Sequence, residues 1–200
     1  MDYKELMNSS KNSLDGKWGL AVGTFSVFLL LSAGIQAASN EYQSLAIISA
    51  VISGPINVGL SIFALKISRN EAAGFEDTFS GFSNFINSFL AYLISMVIII
   101  GGMILFIIPG IIAAIALSMT YFIIAEDNSI SAINALKKSH AMMDGHKMDY
   151  FLLSIRYLLL AIACIFTLGI GFFWLAPYIY VTNAKFYEQI KNTQKFEYIP

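Results

Sequence analysis

Of 200 residues, 57% are hydrophobic and 12% charged, and the net charge is −1. Soluble domains carry about 25% charged residues, so an aqueous fold could not hide this much apolar surface, and the matching solvent is a bilayer. The balance of charge gives no attraction for nucleic acid, and a single cysteine, Cys164, excludes an intrachain disulfide.

Lys4, Lys11 and Lys17 precede the first apolar run, residues 18–35. That run exceeds the roughly 7–15 residues of a signal h-region. It therefore reads as a membrane span rather than a cleaved leader, despite the small residues of "SAGIQAASN". Further runs cover residues 45–65, 85–108, 110–125, 150–168 and 171–187. A helix needs about 20 apolar residues to cross the hydrocarbon. The fourth run is short, and the sixth has an apolar core of only residues 169–181, interrupted by Pro177.

The basic residues set the topology. Lys66 and Arg69 follow the second run, and Lys137, Lys138 and Lys147 lie between the fourth and fifth. Lys185, Lys191 and Lys195 lie at or after the end of the sixth. The alternate connections, residues 36–44, the Pro109-Gly110 turn and residues 167–171, hold no Lys or Arg. Because Lys and Arg collect on the cytoplasmic side, six spans with both termini cytoplasmic are expected. The fold class is all-α: a polytopic membrane protein of three hairpins, each preceded by a short cytoplasmic interfacial helix.

A repeat supports this plan. "SSKNSLDGKW" (residues 9–18) aligns with "SHAMMDGHKM" (residues 139–148) at Asp15-Gly16 and Asp144-Gly145. "FEDTFSGFSNF" (residues 75–85) is a looser third copy with Gly81 in the glycine position. One membrane domain, residues 1–200, is expected, with repeats of about 1–66, 67–127 and 128–200. Between residues 129 and 143, Ile133, Leu136, His140 and Met143 recur at helical spacing. That pattern predicts an amphipathic helix with its apolar face in the lipid boundary. Asn128, Ser129 or Ser131 could cap it. Gly145 then lets the chain turn into the membrane.

Few polar groups lie in the spans. Arg156 has three readings: snorkelling to headgroups, pairing with Glu126 or Asp127, or contact with a substrate or lipid phosphate. Gly54-Pro55 reads as a kink or as the break of a binding site. His140 and His146 share their segment with Asp144 and Asp149. This set lacks the third ligand or oriented base that a metal or catalytic centre needs, but two histidines make the hinge a candidate pH-sensitive element. No Gly-rich phosphate loop, HExxH or CxxC is present. No enzyme activity, cofactor or metal is expected.

Three stretches carry a resemblance: "IIPGIIAAIALSMTYFIIAED", "ALKKSHAMMDGHKMDYFLL" and "TLGIGFFWLAPYIYVTNAKFYEQI". Together with "AGFEDTFSGF", they make the chain similar, over nearly its whole length, to the bacterial integral-membrane family of domain of unknown function 975. The plan is also similar to the membrane domain accompanying some glycerophosphodiester phosphodiesterases, without a counterpart of their catalytic domain. The resemblance implies a multi-pass protein of the bacterial plasma membrane with no established reaction. A scaffold or modulator of an envelope partner or of lipid is expected, with a small-molecule or lipid transporter or channel component as the alternative. Expected partners are anionic lipid headgroups at the basic patches and a membrane protein or a second copy.

Overall fold

A computed structural model describes residues 2–39 and 42–193. Lys195 and the middle of the first expected loop, residues 40–41, lie outside these. The described chain is helical, without a strand. In chain order the α-helices are α1 (Tyr3–Leu14), α2 (Trp18–Ser39), α3 (Gln43–Ser68), α4 (Phe85–Leu105), α5 (Ile107–Ala116), α6 (Thr120–Glu126), α7 (Ala132–Met142), α8 (Lys147–Ile165) and α9 (Phe172–Thr193). A 3₁₀ helix, Phe75–Asn84, precedes α4.

Five segments are long and apolar enough to cross a membrane: Trp18–Ala38, Ile47–Ser68, Phe75–Leu105, Ile107–Glu126 and Lys147–Ile165. These bear out a multi-pass membrane protein. The sixth expected span, α9, is not among them. Its second half carries Asn183, Lys185, Glu188 and Lys191, which lowers its hydropathy. It runs unbroken through Pro177 and brings Glu188 back to Arg69 at the end of α3.

Of the three expected entry elements, two are α-helices. α1 and α7 each lead through a glycine with positive φ, Gly16 at 76° and Gly145 at 78°, into α2 and α8. Left-handed backbone is cheap only for glycine. The third entry element differs. Phe75–Asn84 is a 3₁₀ helix, and two of its hydroxyls bond carbonyls three residues back: Thr78 Oγ1 to Phe75 O at 2.5 Å and Ser83 Oγ to Ser80 O at 2.7 Å. Gly81 there does not have positive φ. It serves contact instead, since a Cβ would strike the Pro55 carbonyl.

The fourth expected span is divided. α5 and α6 are separated at Leu117–Met119, where Ser118 and Thr120 hydroxyls take the carbonyls of Ile115 and Leu117, each at 2.7 Å. The preceding turn also falls earlier than expected. Phe106 is extended, with φ −160° and ψ 148°, and Pro109-Gly110 lies inside the first turn of α5, where proline's missing N–H costs nothing.

The face of α7 is shifted from the expected one. Ala132, Ala135, Leu136, Ser139, Met142 and Met143 are buried, whereas Ile133 and His140 are exposed. Its apolar face rests on α6, α4 and α5, not in lipid. Ser131 is the cap, accepting from the Asn134 amide at 3.4 Å.

The buried core gathers at one end of the bundle, where α1, the C-terminal halves of α3 and α9, α6 and α7 meet. Every ion pair among the described residues lies there. The opposite ends of the α4/α5 and α8/α9 pairs are apolar and bare: Phe106 is 73% exposed, Phe166 86% and Leu168 94%. Water would not tolerate apolar surface this contiguous, whereas acyl chains would.

Candidate functional site

The most concentrated polar chemistry sits where α3, α6 and α9 end together. Arg69 donates through Nη2 to Glu126 Oε1 at 2.5 Å and also binds Glu188, with an Nε bond to Glu188 Oε1 of 3.0 Å. Glu126 Oε2 accepts from Lys191 Nζ at 2.6 Å and from Tyr187 Oη at 2.8 Å. Lys185 Nζ closes α3 by donating to the Ser68 carbonyl at 2.5 Å, as a cation should at a helix C-terminus. Burial alone would lower the pKa of Arg69, but the bonds to Glu188 and Glu126 outweigh it and raise it. A planar fork between two carboxylates is geometry that arginine supplies and lysine does not. It ties three helices together.

A second cluster joins α1 to α8. Tyr3 Oη donates to Asp149 Oδ1 at 2.7 Å, and His146 Nδ1 stands 3.4 Å from Asp149 Oδ2. The bond to Asp149, helped by burial, raises the pKa of Tyr3. The Arg156 guanidinium lies over the Tyr3 ring, 4.8 Å from its centroid. Arg156 therefore does not pair with Glu126 or Asp127. Glu126 belongs to the Arg69 cluster, and Asp127 folds onto its own turn. There it accepts from the Ser129 hydroxyl at 2.6 Å and the Ser129 amide at 3.0 Å. These bonds hold Asp127 below the usual carboxylate range.

The two histidines part company: His146 faces Asp149, while His140 is exposed. Lys147 reaches Asp144 at 3.5 Å. Among the described residues, no three His, Cys, Asp or Glu side chains converge to hold a metal.

Gly54 and Pro55 do not break α3, which is continuous across them. A Cβ on Gly54 would strike the backbone of Ser88 in α4, and Gly59 meets Thr78 in the same way. These glycines let α4 and the 3₁₀ helix lie against α3. Asn57, close by, accepts from Tyr180 Oη at 2.9 Å, and Tyr157 Oη donates to Asn183 at 3.0 Å.

The sequence marks Arg69 and Lys191 only as topology-setting charges, and Tyr187 and Glu188 only within the stretch that carries the resemblance; it does not join them into one cluster. The spacing of Lys185, Glu188 and Lys191 put charge on the end of α9, but nothing local named partners more than 50 residues away. Ser139 was also missed as a contact. Its hydroxyl, fully buried, fills the α5/α6 break, donating to Ala116 O at 2.9 Å and accepting from Met119 N–H at 3.2 Å.

A family model described as Protein of unknown function (DUF975) matches residues 1–109 and, again, residues 93–194. No curated protein and no solved structure matches the chain.

Proposed function

The chain belongs to the DUF975 family, and from that premise we propose a non-enzymatic protein of the bacterial plasma membrane that scaffolds or modulates an envelope partner or organises lipid. The observation that carries this reading is the Arg69–Glu126–Glu188 cluster. Its charges are spent on one another, locking α3, α6 and α9 into a firm polar end. Bare apolar hairpins extend from that end. Such a body offers surface rather than a reacting group.

In the proposed topology three hairpins enter from the cytoplasmic face and both termini lie on it. The support is the gathering of Lys17, Lys66, Arg69, Lys147 and Lys191 at one end, in keeping with the positive-inside bias. The same φ at Gly16 and Gly145 and the doubled family match support an internal duplication.

Cross-linking in intact membranes, followed by purification of the full chain, tests the function. A recurrent protein or lipid adduct is the expected result. Repeated recovery of the chain with neither would overturn it. The transporter reading has one observation in its favour, the α5/α6 break, because discontinuous helices line many transport sites. Solute flux in proteoliposomes that Ser139→Ala alters would favour it.

A further inference from the structure

Arg156 is the one arginine that meets no carboxylate among the described residues. Its neighbours on the outer face of α8, Leu152, Ile155, Leu159 and Leu160, are all exposed. An unpaired cation on a lipid-facing surface is costly, so it needs an anion that the membrane supplies.

Two features fix its depth. α1 packs beside it with Lys4, Glu5, Asn8, Lys11 and Asn12 exposed, a polar face that belongs among headgroups and water. α1 is held at this level by Tyr3 at Arg156 and by Tyr178 Oη, which donates to the Met7 carbonyl at 3.2 Å. Nine residues separate Arg156 from Ile165 at the end of α8, a rise of about 14 Å at 1.5 Å each. Arg156 is the midpoint of α8, nine residues from Lys147 as well, so its backbone lies within the span and its long side chain snorkels toward the headgroup layer, where the Tyr3 ring meets the guanidinium.

The guanidinium is also prepared. The Tyr3 ring lies against it, and the bond from Tyr3 Oη to Asp149 at 2.7 Å fixes that ring. The cation–π contact holds the guanidinium carbon 4.8 Å from the ring centroid, and no bond or ion pair to a described residue occupies its N–H donors. Such donors match two oxygens of a phosphate.

We propose that Arg156, held against the Tyr3 ring, is a binding site for the phosphate of an anionic phospholipid at the cytoplasmic headgroup layer. This rests on reading the chain as a membrane protein that engages lipid, and it names the group engaged.

The test uses the full chain extracted from nanodiscs of phosphatidylglycerol or phosphatidylcholine, with retained lipid counted by native mass spectrometry. Wild type is expected to keep phosphatidylglycerol in preference. Arg156→Gln is expected to lose about tenfold in retention, the usual worth of a charged hydrogen-bond pair. Tyr3→Phe keeps the ring and most binding, whereas Tyr3→Leu loses it, which provides a readout should Arg156→Gln fold poorly. Lys137→Gln with Lys138→Gln on α7 is the control for diffuse attraction. Unchanged retention in Arg156→Gln and Tyr3→Leu, or an equal loss in the lysine control, would overturn the site. Displacement of the lipid by glycerol 3-phosphate would assign Arg156 to a soluble phosphate and overturn the lipid. Cross-linking to a protein partner that survives these failures would leave the scaffold reading standing without this site.

Discussion

The hydroxyl of Ser139 donates to the carbonyl of Ala116, 2.9 Å away and wholly shielded from solvent. It also accepts from the Met119 amide at 3.2 Å, so one side chain of α7 satisfies both sides of the α5/α6 break. Buried backbone groups without partners cost about 1–3 kcal/mol. Ser139→Ala removes the partner and leaves both groups stranded. The expected loss is about 2 kcal/mol, read as a lower melting temperature in detergent. An unchanged melting temperature would mean that another group or water fills the break.

Arg69 clamps Glu126 and Glu188, and the three side chains remain partly exposed. Solvent therefore weakens each pair below its fully buried worth. Arg69→Gln is expected to cost about 1–3 kcal/mol, within the range for charged hydrogen bonds. Arg69→Lys should recover little, since one ammonium does not span two carboxylates. A double-mutant cycle with Glu188→Gln measures the coupling, and a coupling near zero would reduce the cluster to adventitious contact. The raised pKa of Arg69 means its contribution is present below the ordinary arginine range and lost only as pH rises through the higher value. No change from Arg69 titration is expected near neutrality.

Asp127 works in the opposite sense. Its two bonds from Ser129, with Lys138 nearby, depress its pKa. A depressed carboxylate contributes stability above its unfolded pKa and loses it as pH falls through the folded one. Asp127→Asn should therefore be less stable than wild type at pH 7, and the gap should close as pH drops below about 4. Melting curves of both proteins across that interval decide it. A gap independent of pH would show that the charge contributes nothing.

Much of the fold was legible because membrane physics writes it locally. Apolar length located α2, α3, α4 and α8, and the Asp-Gly pairs marked two hinges whose backbones then matched. The misjudged elements share a cause. The spacing of Ile133, Leu136, His140 and Met143 points to one face of α7, but the structure turns Ile133 and His140 outward and buries the small Ala132, Ala135 and Ser139 beside Leu136 and Met143 because α7 approaches protein instead of lipid. Small residues permit close approach and score weakly as apolar. The α5/α6 break hid inside an apolar run because Ser118 and Thr120 act through their hydroxyls. At the candidate site, the sequence marks Glu126 and Arg156 as charges in or beside apolar spans. Their partners, Arg69 and Tyr3, were chosen by packing between helices far apart in sequence.

The glycines separate two kinds of constraint, and substitution to alanine should resolve them. At Gly16 and Gly145 a Cβ would meet nothing within 4 Å, and the constraint is the positive φ alone. Alanine there should cost about 1–2 kcal/mol, and asparagine at Gly145 less, since it tolerates left-handed backbone. At Gly59 and Gly81 the backbone is ordinary, but a Cβ would collide with the carbonyls of Thr78 and Pro55. Neither carbonyl can swing away like a side chain, so α3 and the 3₁₀ helix must separate. That also disturbs the Lys66–Asp77 pair at 2.6 Å and the Phe28–Phe75 contact. Overpacking costs about 1–3 kcal/mol or more, so Gly59→Ala and Gly81→Ala should exceed the hinge variants. They should also expose the Phe75–Asn84 segment to protease, while Gly145→Ala should not. Equal losses at all four positions, with unchanged proteolysis, would show that α3 and the 3₁₀ helix are not held by backbone contact.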